Sequence, residues 1–549
     1  MSAEAIDYPI MWNRLIAVVE EQATTLVRTA FSTSVREAGD LSAGLFDREA
    51  RMMAQAVTGT PGHVNAMAES VGHFARAIGG QNIFEGDVYI TNDPWLGTGH
   101  LHDITMVTPV FRAGRHIGYF ACTAHVVDVG GRGFGPDASE VYEEGLLIPI
   151  AKFAERGVVN PLLLAIVRAN VRTPDQTVGD MFSLAACNEA GNRRLQAMLD
   201  EFALDDLEGL SAFIIEGSRR ATHAAIAKVP DGVFDNTMQV DGYDAPVTLA
   251  VRLTVSGDRL SADFAGTSAM SARGVNVPEV YTRAYACYGL KCAIAPEVPN
   301  NFGSLEPFQI TAPLGSILAA RRPAPVSVRH VIGHLVPDVV LGALHQAMPG
   351  TVPAEGASAL WNIQISARAC EPASGLPSRE VLMFNSGGTG ARPGLDGLSA
   401  TAFPSGVSTM SVEATEQVGP IVVWRKELRE GSGGAGRTRG GLGQVIEIEP
   451  RAGYDLFVNA MFDRVDNPAR GRDGGHSGAA GRVALADGTP LRTKGRQRVP
   501  AGARLRLALP GGGGMGDPRE RDRAAVAADL ASGAISPETA RTIYGWEDD

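Results

Sequence analysis

Hydrophobic positions along the chain change period several times, and each change predicts a change of element. Residues 11–31 (MWNRLIAVVEEQATTLVRTAF) carry apolar side chains at the spacing of one helix face, which predicts an amphipathic helix. Residues 87–129 read instead as short β-rich runs. There DVYIT ends at the turn Asn92-Asp93-Pro94, and DITMVTPVF, the turn RAGR and HIGYFACTAHVVDV follow. Helical spacing returns at 176–203 and from about 206 to 228. Between 234 and 266 the pattern alternates as in a pair of strands joined at Gly257-Asp258. Apolar helical patterns follow near 275–294 and 327–348. From about 380 onward, glycine-rich turns separate short strand-like runs such as GQVIEIEP and ARLRLALP. Two short helices, one of them alanine-rich (AAVAADLA), close the chain after Pro518.

This order predicts an α+β fold of mixed helices and antiparallel sheets in several intimately packed domains, β-rich toward the C-terminus. No clean linker and no internal repeat divides it. The expected boundaries are a mixed N-terminal domain carrying the site over 1–205, a middle α+β domain over 206–380, and a glycine-rich β domain with C-terminal helices over 381–549.

Composition narrows the functional classes. The chain is 44% hydrophobic and 20% charged, ordinary for a globular protein. Its length fits roughly two to four domains. A net charge of −12 without a basic run argues against a nucleic-acid partner. The pattern contains no secretory leader and no apolar stretch long enough for a bilayer, so the expected setting is the cytoplasm, with no membrane partner. Cys122, Cys187, Cys287, Cys292 and Cys370 form no CxxC pair, which fits a reducing compartment.

Four of the eleven histidines fall between His100 and His125, far more than even spreading would put there. The segment GTGHLHD supplies His100, His102 and Asp103, and AHVVDVGG supplies His125 and Asp128. If RAGR turns the chain near Gly114, the flanking runs pair as a hairpin. Residue 125 then lies opposite 102 or 103, according to whether the loop holds two or three residues. Imidazole and carboxylate without thiolate suit zinc or manganese with open positions for water or substrate. Such an ion polarises an amide carbonyl and lowers the pKa of bound water. The same cluster also fits strand ends that merely collect polar residues.

Other residues read more plainly as structure. His63, in GTPGHVNAM, lies in a loop before a helix, where a cap or packed side chain is common, and Asp40, in REAGDLSAG, reads as an N-cap or turn residue. His330, His334 and His345 sit in an apolar helical pattern, as core or interface histidines do. The segment 431–443 (GSGGAGRTRGGLG) has the glycine content of a phosphate cradle but lacks the Gly-Lys-Ser/Thr ending and leads into a strand. It reads as structural turns. The chain carries no nucleotide motif and no GxSxG elbow.

The ordered segments REAGDLSAGLFD, TNDPWLGTGHLHDITMVTPVF, AHVVDVGG, YEEGLLIP, NVRTPDQTVGD, SGGAGRTRGGLG, GGGGMGDPRERD and ARTIYGW resemble the hydantoinase B/oxoprolinase family over nearly the whole chain. That family includes B subunits of N-methylhydantoinases, the corresponding half of 5-oxoprolinase, and subunits of acetone and acetophenone carboxylases. The resemblance implies a divalent metal, zinc or manganese, held by His100, Asp103 and His125, with Asp40 as a further ligand or near neighbour. It implies that Asp128 and His63 lie close to the site in catalytic roles. Two positions depart from the family pattern: His102 stands where proline is common, and Val126 where a second histidine often follows.

The resemblance further implies ATP-dependent opening of a small cyclic amide of the hydantoin, 5-oxoproline or lactam type. ATP and Mg would be bound by a separate hydantoinase A-type subunit, in a heterotetramer or larger assembly. Two alternatives stay open: a subunit of an ATP-dependent ketone carboxylase, and a non-catalytic scaffold subunit that completes the partner's site.

Overall fold

The computed structural model describes residues 4–547 and has the expected α+β architecture. Its N-terminal part is built on one sheet of seven strands. These are β1 (Leu41–Asp47), β2 (Met52–Gln55), β3 (Val88–Thr91), β4 (Asp103–Arg112), β5 (Arg115–His125), β6 (Ala151–Glu155) and β7 (Val158–Val159). Their order is β2-β1-β5-β4-β3-β6-β7, antiparallel throughout.

Alternation along each strand sends neighbouring side chains to opposite faces. On β4, Ile104 and Met106 join Leu26, Val178 and Leu184 in one core, under the helices Glu4–Thr29 and Pro174–Glu201. Val107 instead meets Val64, Met67 and Phe74 of the helix Pro61–Ile78 on the other face. Both long helices lie where the apolar spacing predicts them. Strand β1 does not, because all of its residues are buried, so it shows no alternation to read. The helix Pro161–Asn170 also went unread from the pattern; among its residues only Val167 is buried.

A second sheet, Gly232–Val240, Val247–Ser256, Arg259–Asp263 and Phe308–Thr311, packs on the helices Glu279–Ile294 and Val336–Ala347. Arg259 pairs with Ser256 across the predicted Gly257-Asp258 turn. The apolar stretch 327–348 divides into a short turn of helix, His330–Gly333, and the helix Val336–Ala347 with Pro337 in its first turn. Ala38 and Phe134 from the N-terminal part join this core, as do Phe384, Val407 and Met461 from later in the chain. Residues from early, middle and late in the chain therefore meet in this core, in keeping with a chain that shows no legible linker.

Two further antiparallel sheets of four strands each enclose a core around Trp361, Leu456 and Leu507. Beside them the glycine-rich segments pair backbone to backbone. The amides of Gly434, Gly440 and Gly441 donate to the carbonyls of Gly512, Gly434 and Thr389. The segment 431–443 thus uses these N–H groups internally, in keeping with its reading as structural turns. Among the described residues, no helix is long and apolar enough to cross a membrane.

Candidate metal centre

The β4–β5 hairpin turns through Ala113 and Gly114, both left-handed at φ 48° and 75°. This is the two-residue loop whose twist suits a hairpin, and it pairs Arg112 with Arg115. Continued evenly, that pairing would bring His125 opposite His102. It is not continued evenly. Phe111 pairs with His116 and Val110 with Gly118, so Ile117 is an extra residue on β5. Beyond this bulge His125 pairs with Asp103. Both side chains then share the face of Val107, the one covered by Pro61–Ile78.

The neighbouring strand and helix add two more residues. Leu41 pairs with Ala124, and the His125 amide donates to the Asp40 carbonyl at 3.1 Å, which brings Asp40 beside His125. Thr60, at the N-cap of Pro61–Ile78, gives its hydroxyl to Asp40 Oδ1 at 3.0 Å instead of capping the helix. His63, in the first turn, lies between the carboxylates, with Nε2 3.0 Å from Asp103 Oδ2 and Nδ1 3.5 Å from Asp40 Oδ1.

The two oxygens of Asp103 have different surroundings. Oδ2 accepts from Thr98 Oγ1 and from Arg329 Nη2, each at 2.6 Å. Oδ1 lies 2.7 Å from His100 Nε2 and 3.3 Å from His125 Nδ1. Asp103 Oδ1, His100 Nε2 and His125 Nε2 are nevertheless buried without a partner in hydrogen-bond geometry. One ligand atom from each of His100, Asp103 and His125 lies within 4.8 Å of the others. Buried nitrogens and oxygens left unpaired are costly, and several converging on one point suit a divalent cation with N/O ligands. The residues present therefore fit a metal. The far side of the His100 ring supports this: Nδ1 donates to the Ser327 carbonyl at 2.8 Å, which leaves the lone pair on Nε2.

Electrostatics keep His100 and Asp103 in ligand form. Burial, reinforced by the Arg329 charge, pushes the His100 imidazole down to about 3, so it stays neutral. Burial alone would raise the Asp103 carboxyl, but His100, His63 and Arg329 hold it well below the usual carboxylate range. His63 is shifted the other way from His100. Burial lowers it, yet Asp103 and Asp40 together raise it above its ordinary value.

The group opens on a cavity whose wall includes Asp40, His63, His330, Leu360, Phe384 and Val407. Sequence reasoning missed most of the far wall. Arg329, which holds Asp103, lies over the Tyr281 ring at 4.0 Å, and the Tyr281 hydroxyl meets His334 Nε2 at 3.1 Å. His330 and His334 line the cavity, whereas His345 pairs with Asp473 at 2.9 Å elsewhere. The available signal was the arginine inside VSVRHVIGHLVP, since a cation buried among apolar residues needs a carboxylate. Gly99, at φ 102°, admits that arginine, because a Cβ there would come within 2.6 Å of Arg329 Cδ.

Asp128 does not line this cavity. Its carboxylate accepts from the Gly130 amide at 3.0 Å, the Thr173 amide at 3.2 Å and Arg172 Nη1 at 2.8 Å, tying the end of β5 to the start of Pro174–Glu201. His102 is fully buried, with both ring nitrogens unpartnered and its ring stacked 5.4 Å from that of His125. Val126 points into the core on the opposite face of the sheet.

Comparison with known proteins places this fold in a known family. The profile of the hydantoinase B/oxoprolinase family matches residues 4–518, and the chain belongs to that family. It is 30% identical over 537 residues to an uncharacterised protein of Methanocaldococcus jannaschii, covering 96% of this chain and 93% of that one. It is 28% identical over 574 residues to the caprolactamase subunit beta of Pseudomonas jessenii, covering 99% of this chain and 96% of the relative. The crystal structure of the ATP-dependent caprolactamase from that organism superposes with a TM-score of 0.89 at 26% identity, over 100% of this chain and 97% of that chain. A nucleotide-free structure of acetone carboxylase has the same fold, with a TM-score of 0.87 at 20% identity over 99% of this chain and 80% of that one.

Proposed function

We propose that this chain is the metal-carrying B-type subunit of an ATP-dependent enzyme that opens small cyclic amides. ATP and Mg belong to an A-type partner subunit in the same heteromeric complex. The carrying observation is the convergence of His100, Asp103 and His125 on one point beside a cavity, with ligand atoms that find no hydrogen-bond partner among the described residues. Family membership and the likeness to a caprolactamase subunit beta support the substrate class.

His100, Asp103 and His125 would hold zinc or manganese, and Asp40 stands near enough to His125 to complete the set. When bound, such an ion supplies a Lewis acid for an amide carbonyl and a nucleophilic water at neutral pH. Arg329 and Thr98 fix the Asp103 carboxylate from behind. His63, between Asp40 and Asp103, is the side chain best provided to carry a proton to and from the cavity. Leu360, Phe384 and Val407 give an apolar wall for ring methylenes, while the imidazoles face the polar edge. Asp128 acts from outside the cavity, by anchoring Arg172 and Thr173 behind the strand end.

The division of labour follows from amide chemistry. Resonance holds a lactam carbonyl against water, and a small ring releases little strain, so phosphorylation of the amide oxygen by the partner prepares the carbon that this subunit then exposes to attack. Unsatisfied ligand atoms argue against a pure scaffold, which would have no reason to keep them.

Elemental analysis of protein purified without added metal should give about one zinc or manganese per chain. His100→Ala and His125→Ala should fold without it, and full retention by both would overturn the site. The A/B complex, offered hydantoins, 5-oxoproline, lactams and ketones with and without bicarbonate, should open a cyclic amide with ATP consumption. Bicarbonate-dependent turnover of a ketone alone would replace this reading with carboxylation.

A further inference from the structure

The motif YEEGLLIP contributes two glutamates of opposite character. Glu143 faces solvent and pairs with Arg132. Glu144 is 1% exposed, and its carboxyl reaches the segment that runs along the back of the metal group. Oε1 accepts the amides of Val326 at 2.6 Å and Ser327 at 2.8 Å, while Oε2 is buried without a partner. The next carbonyl along, that of Ser327, is the one that receives His100 Nδ1 at 2.8 Å. Two residues further on, Arg329 holds Asp103 Oδ2 at 2.6 Å and the Thr98 carbonyl at 2.8 Å.

We infer that Glu144 is a positioning residue for His100 and the metal it would hold, acting through the Val326–Ser327 backbone. The inference rests on the metal-site reading above. A carboxyl oxygen that accepts two successive amides fixes the orientation of the peptide on one side of the Ser327 α-carbon, and the peptide on the other side carries the carbonyl that orients the imidazole. Groups one step removed from a ligand typically change metal affinity by roughly 10- to 100-fold when lost. The rest of the anchorage is tight. The Val141 amide donates to the Pro323 carbonyl at 2.9 Å, and the Asn276 side chain to the Pro325 carbonyl at 2.9 Å. Just past the Glu144 contact the Val328 amide donates to the Gly274 carbonyl at 2.9 Å, so the segment is held on both sides and cannot drift to find another acceptor. Burial pushes the Glu144 carboxyl up to about 8, so glutamine reproduces both the shape and the charge it has at neutral pH.

The test titrates zinc and cobalt into metal-free full-length protein against a chelating competitor, and records the visible spectrum of the cobalt form. Glu144→Gln keeps an oxygen for both amides and should bind within a few-fold of the parent, with its spectrum. Glu144→Ala should weaken binding by roughly 10- to 100-fold and change the spectrum. Glu144→Asp keeps an acid but withdraws it by one methylene, so it should resemble the alanine variant and carries the test if that variant does not fold. A purely structural role would lower the melting temperature of Ala and Asp variants while leaving cobalt ligation unchanged, and that result would overturn the inference. His100→Ala is the control for the premise. If it still binds metal, the site reading itself fails; if it does not, and the Glu144 variants bind like the parent, only the role of Glu144 is lost.

Discussion

At the open end of the β4–β5 hairpin, His100 Nε2, Asp103 Oδ1 and His125 Nε2 are buried side-chain atoms without a hydrogen-bond partner among the described residues. In the glycine-rich region the situation is reversed, because backbone groups pair densely with one another. There Gly512 donates to the Gly441 carbonyl at 3.0 Å, Gly441 to Thr389 at 2.8 Å and Gly514 to His476 at 2.9 Å. Segments approach so closely that a Cβ on Gly388 would lie 1.8 Å from the Gly441 oxygen, and one on Gly512 would lie 1.9 Å from that of Thr389. Both regions are tightly enclosed, yet only one has chemistry left to offer. Unsatisfied atoms mark a place where a ligand completes the structure, whereas satisfied atoms mark a place where the structure is already complete.

The comparison can be broken most forcefully from the glycine side. Gly388→Ala should cost about 4 kcal/mol or more, read as lost soluble yield or a collapsed thermal transition, because the Cβ would meet the Gly441 backbone, which has no flexible side chain to yield. Gly375→Ala, at φ 72° with open space around it, should cost only about 1 kcal/mol. Equal melting temperatures for the two variants would contradict the packing argument.

Asp128→Asn tests whether a carboxylate near the site but outside the cavity belongs to the chemistry. Weaker anchorage of Arg172 and Thr173 should lower stability by about 1–3 kcal/mol while metal content stays unchanged. Loss of the metal would make Asp128 a ligand.

Acid should act on the histidine side of the comparison. Burial holds His100 down to about 3 and depresses His102, His330 and His334 well below 6.5. For each, the unfolded chain binds protons that the folded one refuses, so their contribution is intact above the unfolded value of 6.5 and is lost as pH falls below it. The slope is up to about 1.4 kcal/mol per pH unit for each group. His63, raised by Asp103 and Asp40, runs the other way and loses its contribution as pH rises through its folded value. Denaturant melts of metal-free protein should therefore weaken steadily from pH 6.5 downward. Constant stability over that interval would mean that these rings are not buried neutral.

The smallest effect is expected at His102. Replacing a buried imidazole that has no partner by an apolar side chain is neutral or favourable, so His102→Leu should leave metal binding intact and raise stability by up to about 1 kcal/mol. A calorimetric loss, or a loss of metal, would show that the ring has a partner the other ligands do not account for.

Much of this molecule was legible beforehand, for particular reasons. The helices Glu4–Thr29 and Pro174–Glu201 and the strands around Gly257 present one polar face to water, so their period survives in the sequence. Strand β1 is buried throughout and left no period to find. His100, Asp103 and His125 could be picked out because histidines crowd one short stretch, and most of the segments that carried the family resemblance, all but the two nearest the C-terminus, lie wholly within the matched region 4–518.

What the chain could not state by itself was register and approach. The sequence allowed His125 to face either 102 or 103, and the choice fell to the bulge at Ile117, which converts a two-residue loop into the pairing expected of a longer one. A slip of one residue would have turned the opposite face of β5 toward the helix Pro61–Ile78. Likewise Asp40 and His63 read from local pattern alone as ordinary cap and turn residues, tied to the site only by the family resemblance, and it is the pairing of β1 with β5 and the packing of that helix that bring them beside His125 and Asp103. Arg329 and Glu144 join the group only through contacts between distant segments. Local side-chain pattern determines which elements form and which faces they bury; where two faces meet, and so which ligand atoms converge, is decided by strand pairing and packing between residues far apart in the chain.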